Sequence, residues 1–253
     1  VTYQQLDSEV WVGQSSIWST THTILGHEMG VVIDSPVIPL ELAALATRTR
    51  PALLMTTHAD WDHLLGPVAF PDTDLAIEQL TATRLTREFT TIADEMYAWD
   101  DAHHPLTRQL PDWSSAHVVV APATLESPCG ALTLHSTPGH TEDGIAIEIA
   151  DSGVLIVGDY ISPCEIPLIG PSTGCVHYLA ALATIDRLIN QAEWIIPGHG
   201  WPLTATQARV IAHEDREYVR ALFAGDEPRL PRCAEDDSQQ LAHQRNRAVA
   251  GLV

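Results

Sequence analysis

The chain of 253 residues carries 33 acidic side chains against 13 basic ones, all of them arginine, for a formal charge of -20, and 45% of it is hydrophobic. Length and apolar content suit a single domain with a sizeable core, expected over residues 1–253 with a helical extension from about residue 226. The charge argues against nucleic acid, which needs a cationic surface, and no apolar run reaches the roughly 20 residues of a membrane helix, so a cytoplasmic protein acting on a small molecule is expected. Val1 is not followed by the basic and apolar blocks of a secretion signal, although the missing Met leaves room for a trimmed leader. Cys129, Cys164, Cys175 and Cys233 show no disulfide or C-x-x-C spacing, as in a reducing compartment.

In chain order, residues 10–13, 16–25 and 30–34 read as the short strands of a meander. Pro39 opens a helical pattern that Arg50-Pro51 ends, because the residue before proline avoids the helical region. An apolar run at 52–56 reads as a buried strand, residues 74–78 as another, and residues 79–99 carry apolar side chains at helical spacing. From Tyr97 to Ala116, through His103-His104-Pro105, an irregular and functional loop is expected. Strands follow at 117–120 and 131–137, then a hairpin pairs 145–149 with 153–157 across Asp151-Ser152. Residues 160–174, with three prolines and two glycines, read as a pocket wall. A helix is expected at 177–190, a strand at 194–196, a helix over 204–223 capped by Thr204, and a polar helix reaching Ala250 after an acidic patch at 235–238. The strands divide into two groups at about residue 120, which suits two sheets flanked by helices.

The chemistry concentrates at four places where an apolar run ends. Thr57-His58-Ala59-Asp60-Trp61-Asp62-His63 packs two histidines and two carboxylates behind the 52–56 strand. Thr137-Pro138-Gly139-His140, Gly158-Asp159 and Pro197-Gly198-His199-Gly200 repeat the pattern. Side chains at strand ends are held by a rigid element and open to solvent. Imidazole nitrogen and carboxylate oxygen suit zinc, iron or manganese, and seven such groups exceed the needs of one tetrahedral ion, so two divalent metal ions are expected. No G-x-S-x-G elbow or glycine-rich phosphate loop is present.

These motifs resemble the H-x-H-x-D-H signature and later ligands of the metallo-β-lactamase superfamily, over about residues 10 to 205. The sequence departs from the family at Asp60, which stands where the second histidine is usual. The resemblance implies an α/β fold of the four-layer αβ/βα sandwich type, with the site at the edge between the sheets. It implies that His58, Asp60 and His140 hold one ion, that Asp62, His63 and His199 hold the other, and that Asp159 bridges them. Asp60 has an alternative role, orienting a ligand histidine from outside. The implied activity is binuclear metal-dependent hydrolysis of a lactone, thioester, ester or β-lactam, a metal-bridging hydroxide attacking the carbonyl, with Asp62 and Asp159 as catalytic carboxylates.

Three carboxylates with four neutral imidazoles give -3 where the usual set gives -2, a harder site that tilts the choice from zinc, in first place, toward iron or manganese. Family members with a carboxylate at this position include di-iron redox proteins, whose flavin domain has no counterpart here, so the alternatives are a redox protein served by a separate electron donor and a phosphodiesterase. His22, Trp61, Tyr160 and Trp201 are candidate substrate contacts, Tyr160 as a donor to a developing oxyanion. The sequence leaves substrate and oligomeric state open.

Overall fold

The computed structural model describes residues 1–103, 108–233 and 236–252; His104-Pro105 of the expected loop and Glu235 of the acidic patch lie outside them. Seven strands form the first sheet in chain order: β1 (Thr2–Gln5), β2 (Val10–Gln14), β3 (Thr21–Leu25), β4 (Val31–Ile33), β5 (Leu53–Met55), β6 (Asp74–Glu78) and β7 (His117–Val119). β1 to β4 are antiparallel neighbours, and β4 to β7 run parallel. The second sheet has the order β13-β12-β11-β10-β9-β8, from β8 (Ala123–Ser127), β9 (Gly130–Ser136), β10 (Ile145–Ile149), β11 (Val154–Gly158), β12 (Trp194–Pro197) and β13 (Leu203–Thr204). The division between the sheets falls at residue 120, where the two groups of strands were expected to part.

Helices cover the outer faces. α1 (Pro39–Arg48), the single turn α2 (Gly66–Ala69) and α3 (Gln79–His103) lie with the first sheet, α4 (Gly174–Ile189) and α5 (Ala205–Ala224) with the second, and α6 (Asp237–Val249) follows. Leu42, Leu45, Leu85, Ile92 and Met96 pack on Ile24, Val32, Leu54 and Ile77. Tyr178, Leu182, Ile185, Ile211 and Val219 pack on Ala146, Leu155 and Ile195. Between the sheets, Val12, Leu25, Ile33 and Met55 meet Leu134, Ile147, Ile156 and Ile196. Strands buried on both faces explain why 31–33 and 154–157 read as unbroken apolar runs instead of alternating ones. Three apolar layers between four layers of secondary structure make the αβ/βα sandwich.

The differences from expectation are local. β1 and β8 were not anticipated: both are polar sheet edges, and β8 alternates partly buried with exposed residues. Residues 16–20 form a turn with Trp18 and Ser19 at positive φ instead of a strand. α3 continues to His103 because Met96, Trp99 and Asp100 keep one face buried, and Asp100 accepts two hydrogen bonds from Arg108 at 2.9 and 2.8 Å. All four cysteines are free. No helix among the described residues is long and apolar enough to cross a membrane.

Thr204 caps α5 through a reciprocal pair. Its hydroxyl accepts from the Gln207 amide, and the Gln207 side chain accepts from the Thr204 amide at 2.9 Å. Thr204→Ala is expected to lower stability by about 1 kcal/mol, read as a shift in the urea midpoint at an unchanged m-value.

Candidate metal centre

The two sheets are tied at one edge by backbone bonds that bring the motif loops together. Thr21 N donates to Gly198 O at 2.7 Å, Gly200 N to Ser19 O at 2.9 Å, and Ile145 N to Thr57 O at 3.0 Å. The loop after β5 turns through a short 3-10 helix, Trp61–His63, so that His58, Asp60, Asp62 and His63 face the loops that follow β9, β11 and β12. All seven expected groups meet there. Ligand atoms of His58, Asp60, His140 and Asp159 lie within 4.8 Å of one another, and those of Asp62, His63 and His199 form a second such group.

Asp159 stands at the centre. Its Oδ2 lies 3.6, 3.2 and 3.3 Å from Nε2 of His58, His140 and His199, and its Oδ1 lies 3.3 Å from Nε2 of His63. Gly198 makes this approach feasible, since a Cβ there would lie 2.0 Å from Asp159 Oδ1 and 3.0 Å from the Gly158 carbonyl carbon. The glycine of the Pro-Gly-His-Gly segment is therefore a space requirement of the carboxylate opposite.

All four imidazoles turn Nε2 inward and anchor Nδ1 outward. His140 Nδ1 reaches Leu168 O and His199 Nδ1 reaches Trp18 O, both at 3.0 Å. Carbonyls only accept, so Nδ1 carries the proton and Nε2 keeps its lone pair for the centre in the neutral ring. His58 Nδ1 meets Thr57 Oγ1 at 3.0 Å, a hydroxyl whose own proton goes to Asp34 Oδ2 at 3.0 Å. His63 Nδ1 lies 3.2 Å from Asp34 Oδ2. Nε2 of His58, both ring nitrogens of His63 and Oδ1 of Asp159 are buried without a hydrogen-bond partner. Unpartnered buried polar atoms are costly, and here, His63 Nδ1 beside Asp34 apart, they converge on one point lined by nitrogen and carboxylate oxygen. The residues present thus fit one or two divalent cations.

The electrostatics agree. Burial pushes the imidazoles down, but the Asp159 carboxylate beside His58 and His140, and Asp62 with Asp159 beside His63, outweigh it and hold all three above the usual range. Burial likewise opposes protonation of His199, yet Glu165 and Asp159 carry it up to about 10. Burial raises Asp159 and Asp60, and the surrounding imidazoles hold both well below the usual carboxylate range. The cluster is one that demands positive charge.

Asp60 brings in a residue that spacing alone did not suggest. Arg84 of α3 donates to Asp60 Oδ1 at 2.6 Å and to Asp143 Oδ1 at 3.0 Å, while the other Asp60 oxygen faces His140 Nε2 at 3.2 Å. Asp143 in turn accepts from the Ala59 amide at 2.8 Å. The motif count of -3 omits this guanidinium. Arg84 adds +1 and Asp143, bound to the same guanidinium, adds -1, so the pair leaves the count at -3 while giving Asp60 a direct cationic partner.

The four expected substrate contacts fare differently. His22 is buried on β3 with Nε2 3.2 Å from Tyr3 Oη. Trp61 is buried behind the ligand loop, 5.6 Å from Trp18 and from Trp99 between ring centroids. Tyr160 cannot serve an oxyanion as expected: its buried hydroxyl donates to Thr137 O and accepts from the His140 amide, both at 2.8 Å. Trp201 is half-buried. None of the four lines the cleft of about 300 Å³ over the centre, whose walls include Trp18, Ile161, Ile166, Leu168, Leu241 and Glu165 above Asp60, Asp62, His140, Asp159 and His199. Asp34 was also missed, although Val31-Val32-Ile33-Asp34 is another apolar run ending in a carboxylate.

The metallo-beta-lactamase superfamily model matches residues 41–211. The chain belongs to this superfamily. No curated protein matches the sequence. Among solved structures, a sec-alkylsulfatase from Pseudomonas sp. superposes with a TM-score of 0.69 at 12% identity, over 88% of this chain and 42% of that one. A metallo-beta-lactamase family protein from Thermus thermophilus gives 0.67 at 18% identity over 87% and 82%. Rubredoxin oxygen:oxidoreductase from Desulfovibrio gigas gives 0.60 at 17% identity over 87% and 62%. This chain spans under half of the sulfatase, and at these identities the likeness is one of fold. The fold and its His/Asp clusters imply divalent metal binding.

Two outcomes test the centre. Gly198→Ala is expected to displace Asp159 and weaken metal binding by at least roughly tenfold, measured by competition with a chromophoric chelator; unaltered affinity would remove Asp159 from the ligand set. The second concerns His22, whose imidazole burial pushes down to about 3, with Glu41 and Asp34 opposing. The unfolded chain takes up this proton below about pH 6.5 and the folded chain does not, so its contribution is complete above pH 6.5 and shrinks as pH falls toward 3. Between pH 7 and 4.5, wild type is expected to lose roughly 2–3 kcal/mol more stability than His22→Gln, measured by urea denaturation of metal-free protein.

Proposed function

We propose that this superfamily member is a metal-dependent hydrolase that cleaves a small carbonyl substrate, an ester, thioester, lactone or β-lactam, with two divalent cations, zinc first among them. The observation that supports this is the convergence of four imidazole Nε2 atoms and three aspartates on the floor of an open cleft. His58, Asp60 and His140 would hold one cation, Asp62, His63 and His199 the other, with Asp159 between them. When bound, such cations supply acidity to a coordinated water and polarise a carbonyl oxygen.

The chain's own residues do the rest. The carbonyls of Leu168 and Trp18 fix the tautomers of His140 and His199. Asp62, buried and 3.4 Å from the Thr20 hydroxyl, lies 3.6 Å from both His63 and His199 Nε2 and would accept the proton of an attacking water. Trp18, Ile161, Ile166 and Leu168 provide an apolar wall for an acyl chain and limit water above the reacting group. With Tyr160 Oη committed to the backbone, no tyrosine donor is assigned to the developing oxyanion.

Asp60 also favours a second reading, a non-hydrolytic di-iron redox protein, because a carboxylate ligand suits iron and an oxygen oxidoreductase shares the fold. Metal analysis of protein purified without chelator, followed by turnover of the four substrate classes with zinc, iron and manganese, separates the two. Hydrolysis with redox-inert zinc is expected, with His140→Ala and Asp159→Ala each lowering it by at least about 100-fold while circular dichroism is unchanged. Failure on every class, together with oxygen consumption by iron-loaded protein, would replace this reading with the redox one.

A further inference from the structure

We propose that Asn246, in the C-terminal helix, is a positioning residue for His140, and that α6 thereby forms part of the metal centre. The proposal rests on the metal-centre reading above. α6 lies beyond residues 41–211, the part of the chain that the superfamily model matches.

The chain of contacts is short. His140 Nδ1 donates to the carbonyl of Leu168 at 3.0 Å, which aims Nε2 at Asp60 and Asp159, each 3.2 Å away. Leu168 belongs to the proline-rich segment between β11 and α4, which forms no helix or strand, so no ladder of hydrogen bonds sets the direction of its carbonyl. The Asn246 side chain does this from both sides. Its Nδ2 donates to Pro167 O at 2.5 Å, and its Oδ1 accepts from Ile169 N at 2.8 Å. One carboxamide thus bonds peptide groups on either side of Leu168. Gln239, two turns earlier on the same helix, accepts from Ile166 N at 2.8 Å. Arg232 donates to Ser162 O at 2.6 Å and to Glu165 O at 3.0 Å earlier in the segment, and Gly170 N donates to Gly139 O at 2.9 Å, which joins the segment to the residue before His140.

Asn246 is itself fixed. It is fully buried, and its Nδ2 also donates to Tyr218 Oη at 3.0 Å, a hydroxyl that meets His243 Nδ1 at 2.9 Å. The position demands a group that donates and accepts on one rigid plane. Aspartate has the same shape but no donor, so it would set a carboxylate oxygen against the Pro167 carbonyl.

Two-step cobalt titration, followed by visible absorption in full-length protein, tests the proposal. Asn246→Asp and Asn246→Ala are expected to weaken the step assigned to His58, Asp60 and His140 by roughly 10–100-fold, with the step assigned to Asp62, His63 and His199 retained and the cobalt spectrum of the weakened site altered. Gln239→Ala should produce a smaller change in the same direction. Tyr218→Phe, which leaves both bonds to the segment intact, should change neither step. By linkage, cobalt binding to wild type should slow amide exchange at Ile169 and along α6, a readout that stands if the Asn246 variants do not fold. Folded variants with both steps as in wild type, equal weakening of both steps, or α6 exchange indifferent to cobalt would overturn the proposal and leave the metal reading in place. Absence of stoichiometric cobalt in wild type would sink both.

Discussion

One carboxylate facing four imidazoles organises this molecule. Asp159 sits within 3.6 Å of Nε2 of His58, His63, His140 and His199, contacts that need either protons on the rings or a cation among them. Every feature that brings the four loops to one edge serves that meeting. The Thr21 to Gly198 and Ile145 to Thr57 bonds lock the sheets, Gly198 has no side chain because the aspartate occupies that space, and the register of β11 against β12 shifts just before Asp159, between Ile156 and Gly158. A fold that buries three apolar layers holds a polar, unsatisfied point at its rim, the trade of local stability for chemistry expected at a functional site.

The departure at Asp60 is balanced by a partner from the helix that covers the first sheet. Arg84 is 24 residues further along the chain and ties Asp60 to Asp143, which also holds the Ala59 amide of the same ligand loop. A carboxylate in place of an imidazole adds a charge to an already acidic cluster. The guanidinium, shared with Asp143, gives that carboxylate a direct cationic partner and fixes which oxygen faces His140, a task suited to the planar fork of arginine.

Much of the cleft wall comes from elements with no regular structure or from outside the superfamily-matched region. Trp18 lies in a turn held at positive φ, and Ile166 and Leu168 lie in the segment that α6 holds.

Much of this was legible beforehand. The ligand-bearing motifs, the division of strands at residue 120, the Pro39 start of α1 and the Thr204 cap all depend on residue identity and local periodicity, and those are written in the chain. The edges β1 and β8 were not legible, because short polar strands carry little apolar signal. Arg84, Asp34, Asp143 and Asn246 were not legible as partners of the centre, and Tyr160 was assigned to substrate when the backbone claims its hydroxyl. Sequence by itself determined the donor atoms and the elements that carry them. Tertiary structure alone decided which charges and carbonyls meet those atoms, since such pairings join residues 24 to 181 positions apart, a separation at which local spacing carries no geometric information.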